Sequence, residues 1–356
     1  MSGTATDPVA ATDPVAATDP APVAAAPPTR FERLFDAFTG TVVGRRQAAV
    51  VRIGFGLAWL GFLLREWPNR RVLYGDRSPW SADLSDRLLS ATHAFTVLSW
   101  SDGRLWFETV YHLGILAAVL MVLGWRTRAS AVLFAVTVLS LQNRNVLVGD
   151  GGDNVVHLMA MYLVLVRSGL VWSLDARRRA RREAPAASVG ELRAVRDALV
   201  TMLHNCGMVI IAAQVVLIYS TAGWYKVQGS RWQDGTALHY PLHLDYFAPW
   251  PELSALLGSS LLITFVLSYG TVILQVAFPF TLANRRLKNV LLALMIAEHS
   301  AIAVVLGLPF FSLAMIAADL VFLPTAFLER LDARCGPAAR RLRAAVRLPA
   351  ARPPSP

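Results

Sequence analysis

The feature that most constrains this chain is a series of eight long apolar runs separated by short polar segments. A helix of about 20 residues crosses the ~30 Å hydrocarbon core of a bilayer, because each residue adds about 1.5 Å. The third run is short, and only Leu308 and Pro309 divide the last two. The runs are residues 47–66, 106–125, 129–143, 154–173, 198–222, 255–281, 288–307 and 309–327. The sequence therefore predicts an all-α integral membrane protein with about eight transmembrane helices, with seven or nine as the alternatives.

The composition agrees with a membrane protein, because 55% of the residues are hydrophobic and only 16% are charged. Soluble domains carry about 25% charged residues. The net charge of +10 could indicate a nucleic-acid partner. The basic residues, however, lie in short clusters between apolar runs and form no basic face. We therefore expect the lipid bilayer as the partner and no nucleic acid.

The placement of these basic clusters predicts how the bundle is oriented. Cytoplasmic loops of membrane proteins carry an excess of lysine and arginine. With eight spans, every major basic cluster falls on one side of the membrane. The clusters are Arg45 and Arg46, Arg126 and Arg128, residues 177–182, residues 285–288 and residues 330–347. We therefore predict a multipass protein of the plasma membrane with both termini in the cytoplasm.

The two ends of the chain differ in composition from the predicted bundle. Residues 1–29 repeat ATDPVA and contain no aromatic residue, which predicts a disordered tail without the pattern of a cleavable signal peptide. Residues 30–330 form the predicted membrane domain, and residues 331–356 form a basic cytoplasmic tail that ends in a proline-rich stretch. The two cysteines, Cys206 and Cys335, have no metal-binding spacing, so we predict no metal site.

A polar hairpin, LQNRNVLVGDGGDN (residues 141–154), joins the third and fourth runs. Asparagine, aspartate and glycine are typical of turns and helix caps, so one interpretation is a hairpin that satisfies its own backbone. That interpretation explains Arg144 poorly, because a lone cation on the outer side opposes the charge rule. We therefore predict a binding site at this hairpin. Its residues are Asn143, Arg144, Asn145, Asp153 and Asn154.

A second polar stretch, GWYKVQGSRWQDG (residues 223–235), follows the fifth run. It contains Lys226, one of only two lysines in a chain with 32 arginines. One interpretation is a lysine that reaches from the helix end to the lipid headgroups, but arginine would do this equally well. A desolvated lysine amine can lose its proton, whereas a guanidinium keeps its charge. Lys226 is therefore a candidate base, with Trp232 and Asp234 as candidate binding residues.

Other ionisable residues lie inside the predicted spans, where exposure to lipid is unfavourable. Either they form hydrogen bonds that hold the helices together, or they serve a site in the bundle interior. Glu108 and His112 are four residues apart and so share one helix face. The others are His157, Glu298, His299 and Asp319. Together they predict a polar seam through the bundle.

The order of these motifs resembles a known family. NRN (143–145), GGDN (151–154) at the head of a helix, WSLD (172–175), G-x-x-K (223–226) and W-x-D-G (232–235) together resemble the HTTM domain. Bacterial proteins share this membrane domain with vitamin K-dependent γ-carboxylase. The resemblance covers roughly residues 30–330. It implies an α-helical bundle with a site on the extracytoplasmic side.

The resemblance also implies roles for two residues. In the carboxylase, a lysine in the G-x-x-K position is the proposed base that deprotonates vitamin K hydroquinone, and Lys226 aligns with it. The carboxylase also has a functional histidine directly after an asparagine near the start of the matching helix. Here Val155 follows Asn154 and the nearest histidine is His157, which we take as the second catalytic candidate. The implied cofactor is a quinol or vitamin K-type lipid.

Two classes of function therefore stay open. The first is a quinol-linked, carboxylase-like or oxygenase-like membrane enzyme. The alternative is a non-enzymatic protein that takes part in the processing or export of a secreted peptide, or in immunity to it. The resembled family includes bacterial members that support maturation of a sporulation-delaying toxin peptide. A transporter is a further alternative. The functional predictions share one expectation, that Lys226 and the hairpin at 141–154 meet in a single, partly dry pocket open to the exterior.

Overall fold

The structure, a computed structural model, describes residue 3 and residues 29–145, 147–181 and 190–334. The predicted N-terminal and C-terminal tails lie almost entirely outside these residues, as does Cys335. Every regular element in the described ranges is helical. The α-helices are α1 (Arg30–Gly40), α2 (Arg45–Glu66), α3 (Arg70–Leu73), α4 (Ala82–Thr92), α5 (Arg104–Leu123), α6 (Thr127–Arg144), α7 (Gly151–Leu165), α8 (Leu174–Arg181), α9 (Glu191–Gln228), α10 (Ser230–Gln233), α11 (His239–Leu242), α12 (Pro251–Gly258), α13 (Leu261–Ala277), α14 (Arg285–Val305) and α15 (Pro309–Asp319).

Five helices are long and apolar enough to cross a membrane among the described residues: α2, α5, α9, α14, and α13 with the 3₁₀ turn that continues it to Ala283. A sixth span is added if Pro309–Phe322 and Thr325–Arg334, which meet at 104°, count as one. The chain is therefore an all-α multipass membrane protein. Helices α6, α7 and α15 have 18, 15 and 11 residues, fewer than the ~20 of a typical span. The count of eight crossings accordingly stays a prediction.

Each predicted apolar run contains a helix, but several predicted boundaries were wrong. The fourth run stops being helical at Leu165. The sixth is divided after Gly258, and Ser260 caps α13 by accepting a hydrogen bond from the backbone N–H of Ile263. The eighth leaves the α-helical conformation at Asp319, shortly before Leu323 becomes extended ahead of a proline. Serine caps and prolines therefore divide stretches that are uniformly apolar.

The helices run alternately between two ends of the bundle. At one end the start of α2 meets the residues after α15, since Gln47 Nε2 donates to the carbonyl of Leu323 at 2.8 Å. There the carboxylate of Asp175 accepts hydrogen bonds from the backbone N–H groups of Arg126 and Thr127, at 2.9 and 2.7 Å, where α6 begins. We call this the basic end, because the basic clusters before α2, between α5 and α6, and after α7 meet there. The side of the membrane that it faces stays a prediction.

At the opposite end, α2 finishes beside the start of α15, where the rings of Phe62 and Phe310 lie 6.0 Å apart, edge to face. The turn between α14 and α15 also reaches the long segment 229–260, because Gly307 packs against Pro249. We call this the loop end. The predicted hairpin and the predicted lysine segment both lie toward it.

A fully buried arginine stabilises the basic end of α2. Arg52 is 0% exposed, and its guanidinium donates to the carbonyls of Met121, Val122, Ser168 and Trp172. The last carbonyls of a helix have no partner within that helix, so Arg52 satisfies those that end α5. An arginine inside an apolar run therefore joins α2 to α5 and to the segment after α7.

The WSLD motif lies in the same junction. Partial burial alone would raise the pKa of Asp175. Its carboxylate, however, accepts hydrogen bonds from the backbone N–H groups of Thr127 and Arg126 and from the hydroxyl of Thr127, and these bonds hold the pKa below its ordinary value. The aspartate of the motif is thus the cap of α6. Its tryptophan, Trp172, supplies one of the carbonyls that bind Arg52.

Candidate functional site

Lys226 lies in the last turn of α9, and its side chain points toward α13. Its Nζ donates a hydrogen bond to Oε1 of Gln275 at 2.9 Å. The ring of Trp232 lies 5.2 Å from the same nitrogen, close enough for a cation–π contact. The lysine is half-buried. Its amine is therefore held by the protein and does not extend freely to the headgroups.

A row of three polar side chains crosses from α9 through α13 to α14. The side-chain amide of Gln275 accepts from Lys226, and its Nε2 donates to Oε1 of Glu298 at 3.2 Å. The other carboxylate oxygen of Glu298 is buried and makes no hydrogen bond of good geometry among the described residues, although the hydroxyl of Thr271 acts on the same carboxylate. The row therefore ends in an oxygen that can still accept a hydrogen bond.

The glycine of the G-x-x-K motif explains how α9 and α13 come close enough for this contact. A Cβ on Gly223 would lie 2.9 Å from Cγ2 of Val276 and 3.1 Å from its backbone nitrogen. Any side chain at this position would push the helices apart. The glycine of W-x-D-G is also required by its surroundings, since Gly235 has φ +74° and a Cβ there would clash with the ring of Phe265.

The polar row borders a largely apolar cavity of about 620 Å³ between α9, α13 and α14. We call it the lysine cavity. Its walls are mainly aliphatic and include Leu257, Leu267, Leu274, Leu294, Ile302 and Leu306. Its polar lining consists of Lys226, Trp232, Thr271, Gln275 and Glu298. Such a site suits a molecule with an apolar body and a small polar head.

Two predicted binding residues near Lys226 have different surroundings. Trp232 lines the lysine cavity. Asp234 is exposed and closes a turn by accepting from the backbone N–H and hydroxyl of Thr236. These hydrogen bonds, first that of the hydroxyl, keep the pKa of Asp234 below its ordinary value. The structure therefore gives Asp234 a turn-forming contact, and it does not line the lysine cavity.

The hairpin at 141–154 forms a separate cavity of about 370 Å³ at the loop end, which we call the hairpin cavity. Asp150 caps α7 together with Asp153 in a reciprocal capping box, and Asn145 donates to the carbonyl of Leu73 at 2.8 Å. His157 Nδ1 lies 3.0 Å from Oε1 of Gln142. The predicted residues that line this cavity are Asn143, Asn145, Asp153, Asn154 and His157. Much of the hairpin's polarity thus satisfies backbone groups, as the first interpretation of the motif expected.

Arg144 points to the other side of the hairpin. It lines a cavity of about 290 Å³ with Tyr74, Asp76 and Asp102, and its Nη1 donates to the carbonyl of Trp80 at 3.2 Å. In this cavity, hydrogen bonds from the Arg71 guanidinium lower the pKa of Asp76 to about 2. The three residues of the NRN motif are therefore divided between two cavities.

The expectation of a single pocket for Lys226 and the hairpin was wrong. Among the described residues, the lysine cavity and the hairpin cavity share no lining residue. The physical reason is α15, which packs against α7 on one side and α14 on the other. From α15, Phe311 packs against Gly152 and lies 5.7 Å, ring to ring, from His299.

Part of the predicted polar seam is a buried cluster behind the lysine cavity. The hydroxyl of Tyr219 lies 2.9 Å from both carboxylate oxygens of Asp319 and 3.2 Å from Nε2 of His299. Asp319 is 0% exposed. Glu298 precedes His299 on α14, so this cluster and the polar row occupy neighbouring positions of one helix.

Glu108 and His112 do not belong to this seam. Glu108 forms a two-fold ion pair with Arg70, at 2.9 and 3.0 Å. His112 Nε2 accepts from the indole of Trp67 at 3.3 Å. These contacts join α5 to the start of the segment after α2. They give Glu108 and His112 a structural role.

Sequence reasoning missed Gln275 and Tyr219. Both lie in largely apolar runs and match no motif, so only the spatial arrangement shows their importance. The described residues contain no group of three or more His, Cys, Asp or Glu side chains placed to hold a metal ion.

Comparison with known proteins gives one family and one curated relative. A family model described as HTTM domain matches residues 45–327. The chain is 27% identical over 223 residues to the sporulation-delaying protein SdpB of Bacillus subtilis (strain 168), a match that covers 61% of this chain and 64% of that protein. No solved structure is a significant match.

Proposed function

Since this chain belongs to the HTTM domain family, we propose that it is a membrane enzyme that binds a lipid-soluble quinol in the lysine cavity, with Lys226 as the base. The observation that carries the proposal is the position of the Lys226 amine at the polar border of an apolar cavity. We further propose that the chain crosses the plasma membrane eight times with both termini in the cytoplasm.

The lysine cavity fits a quinol in size and polarity. Its volume of about 620 Å³ is within the range of roughly 300–1,000 Å³ that is typical of small-molecule sites. The aliphatic walls suit an aromatic ring with a hydrocarbon tail. The second carboxylate oxygen of Glu298, on the carboxylate that the hydroxyl of Thr271 also approaches, offers an acceptor to a quinol hydroxyl.

The polar row prepares Lys226 for proton transfer. The side-chain oxygen of Gln275 holds Nζ at 2.9 Å, and Glu298 fixes the orientation of that amide by accepting from its nitrogen. A bound quinol would supply the hydroxyl proton and the electrons of the reaction, with dioxygen as the oxidant that takes up the electrons. The amine of Lys226, once neutral, accepts that proton, whereas a guanidinium in its place would keep its charge.

The test compares the two lysines of the chain. In purified protein supplied with a short-chain naphthohydroquinone, Lys226→Arg should lower quinol-dependent oxygen uptake by about 100-fold to 10,000-fold, the usual contribution of a general base. Lys288→Arg is the matched control, because Lys288 donates to the carbonyl of Phe322 and does not line the lysine cavity. Full activity in Lys226→Arg would reject the base. No quinol-dependent reaction in the unaltered protein would reject the enzyme.

A second candidate function comes from the similarity to a sporulation-delaying protein. In this alternative the chain serves the processing or export of a secreted peptide, or immunity to it, and Lys226 contributes to binding only. It predicts that the neighbouring genes encode a small secreted peptide. It also predicts that deletion of this gene abolishes release of that peptide or resistance to it, and that Lys226→Arg does neither.

A further inference from the structure

A cavity of about 550 Å³ opens at the basic end, away from the lysine cavity and the hairpin cavity. It lies between the turn joining α5 and α6, the segment after α7, and the first turns of α9. Five arginines and two aspartates line it, a formal surplus of three positive charges. They are Arg126, Arg128, Arg167, Arg179, Arg196, Asp175 and Asp197. We call it the arginine cavity.

The two aspartates offset only part of the positive charge of this cavity. Asp175 already accepts from the backbone at the start of α6. Asp197 is paired with its neighbour Arg196, with the nearest nitrogen and oxygen 2.8 Å apart. Both carboxylates therefore have partners of their own.

Two central arginines of the cavity donate hydrogen bonds to uncharged oxygens. Arg167 reaches the hydroxyl of Thr201 at 3.4 Å, and Arg179 donates to the carbonyl of Gly169. The positive charges of Arg128, Arg179 and Arg196 act on Arg167, and the negative charge of Asp197 offsets part of their effect. Like charges held together in a half-enclosed space repel one another, so this arrangement is favourable when an anion lies among them.

The geometry points to an anion-binding site that takes the phosphate group of an anionic lipid. Guanidinium groups match phosphate oxygens with paired hydrogen bonds. The lining also contains Leu170 and Val200, which offer an apolar flank beside the arginines. The cavity lies where α6 begins and α7 has ended, which in the proposed eight-span topology is the level of the headgroups. Basic pockets between transmembrane helices are typical sites for such headgroups.

The experiment measures lipid binding by the full chain and by variants. Purified protein is titrated with phosphatidylglycerol, with phosphatidylcholine and, separately, with inorganic phosphate, and binding is followed by native mass spectrometry and by the unfolding temperature. We expect phosphatidylglycerol to bind at least tenfold more tightly than phosphatidylcholine. In Arg128→Gln/Arg167→Gln, we expect the affinity for phosphatidylglycerol to fall about tenfold or more.

Arg285→Gln/Arg286→Gln is the matched control, because it also removes two arginines, both exposed at the start of α14 and outside the cavity. It should leave binding nearly unchanged. Equal loss in the control and in Arg128→Gln/Arg167→Gln would overturn the site, as would unchanged binding in Arg128→Gln/Arg167→Gln. If inorganic phosphate protects equally well and displaces the lipid, the same site takes a soluble phosphate. If Arg167→Gln impairs folding, Arg128→Gln alone, at an exposed position, gives the same comparison.

Discussion

At the scale of single residues, the contrast between Lys226 and the 32 arginines has a structural counterpart. The planar guanidinium of Arg52, for example, donates hydrogen bonds to several backbone carbonyls and so joins neighbouring segments of the bundle. Lys226 makes one hydrogen bond, to Gln275, at the border of a cavity. The chain thus has a guanidinium group where a permanently charged side chain must donate several hydrogen bonds. It has an amine at the site proposed for proton transfer.

Gln275 is the residue on which the polar row depends. In Gln275→Leu, Lys226 should lose its acceptor and Glu298 its donor, which leaves both groups partly buried without these partners. We expect a loss of about 1–3 kcal/mol in stability and a fall in quinol-dependent activity. Thermal unfolding and oxygen uptake measure the two effects.

Asp234→Ala is the control for this variant. Asp234 is exposed in a neighbouring turn and does not line the lysine cavity. Loss of its turn hydrogen bonds to Thr236 also lowers stability, so oxygen uptake is the measurement that best separates the two variants. If Gln275→Leu behaved like Asp234→Ala in both measurements, the polar row would have no functional importance.

At the scale of elements, the close approach of α9 and α13 decides the geometry of the site. Gly223→Ala should push α9 from Val276 and lengthen the contact between Lys226 and Gln275, because the new Cβ has no space. Overpacking of this kind costs about 1–3 kcal/mol, although alanine alone favours a helix by about 1 kcal/mol over glycine. We expect quinol-dependent activity to fall roughly tenfold, because the hydrogen bond between Lys226 and Gln275 that is weakened contributes a free energy of about that size.

Gly40→Ala supplies the comparison, since a Cβ at Gly40 meets no atom within 4 Å. Its activity should match that of the unaltered protein. An active Gly223→Ala would show that the distance between α9 and α13 is not critical.

The elements also show what the sequence can and cannot predict. Apolar run length predicted where helices form, but it ended the fifth helix at residue 222, whereas α9 continues through Lys226 to Gln228. The separation of the lysine cavity from the hairpin cavity was not predicted, because it follows from the packing of α15 between α7 and α14. Phe311, the residue that lies between Gly152 and His299, is one of many apolar residues in its run. Nothing in its spacing distinguishes it.

At the scale of the whole molecule, the two ends of the bundle carry different chemistry. The basic end contains Arg52, the Asp175 cap and the arginine cavity. The lysine and hairpin cavities are formed by helices and loops that extend to the loop end. A multipass protein arranged in this way can contact headgroups at one face and process a lipid-soluble molecule nearer the other.

The orientation of the bundle gives a prediction at this scale. Starting from a variant in which serines replace Cys206 and Cys335, single cysteines are placed by Tyr246→Cys and by Arg128→Cys, both at exposed positions. In intact cells, a membrane-impermeant maleimide should label the first and label the second only after permeabilisation, because the basic end is predicted to face the cytoplasm. The opposite pattern would reverse the predicted topology.

The most direct measurement for the central claim is photo-crosslinking with a naphthoquinone that carries a diazirine, mapped by mass spectrometry. Binding in the lysine cavity predicts crosslinks to α13 and α14, near Leu267, Leu274 and Leu294, that unlabelled quinone displaces. Crosslinks confined to the hairpin between Asn143 and His157, or labelling that unlabelled quinone fails to displace, would contradict it.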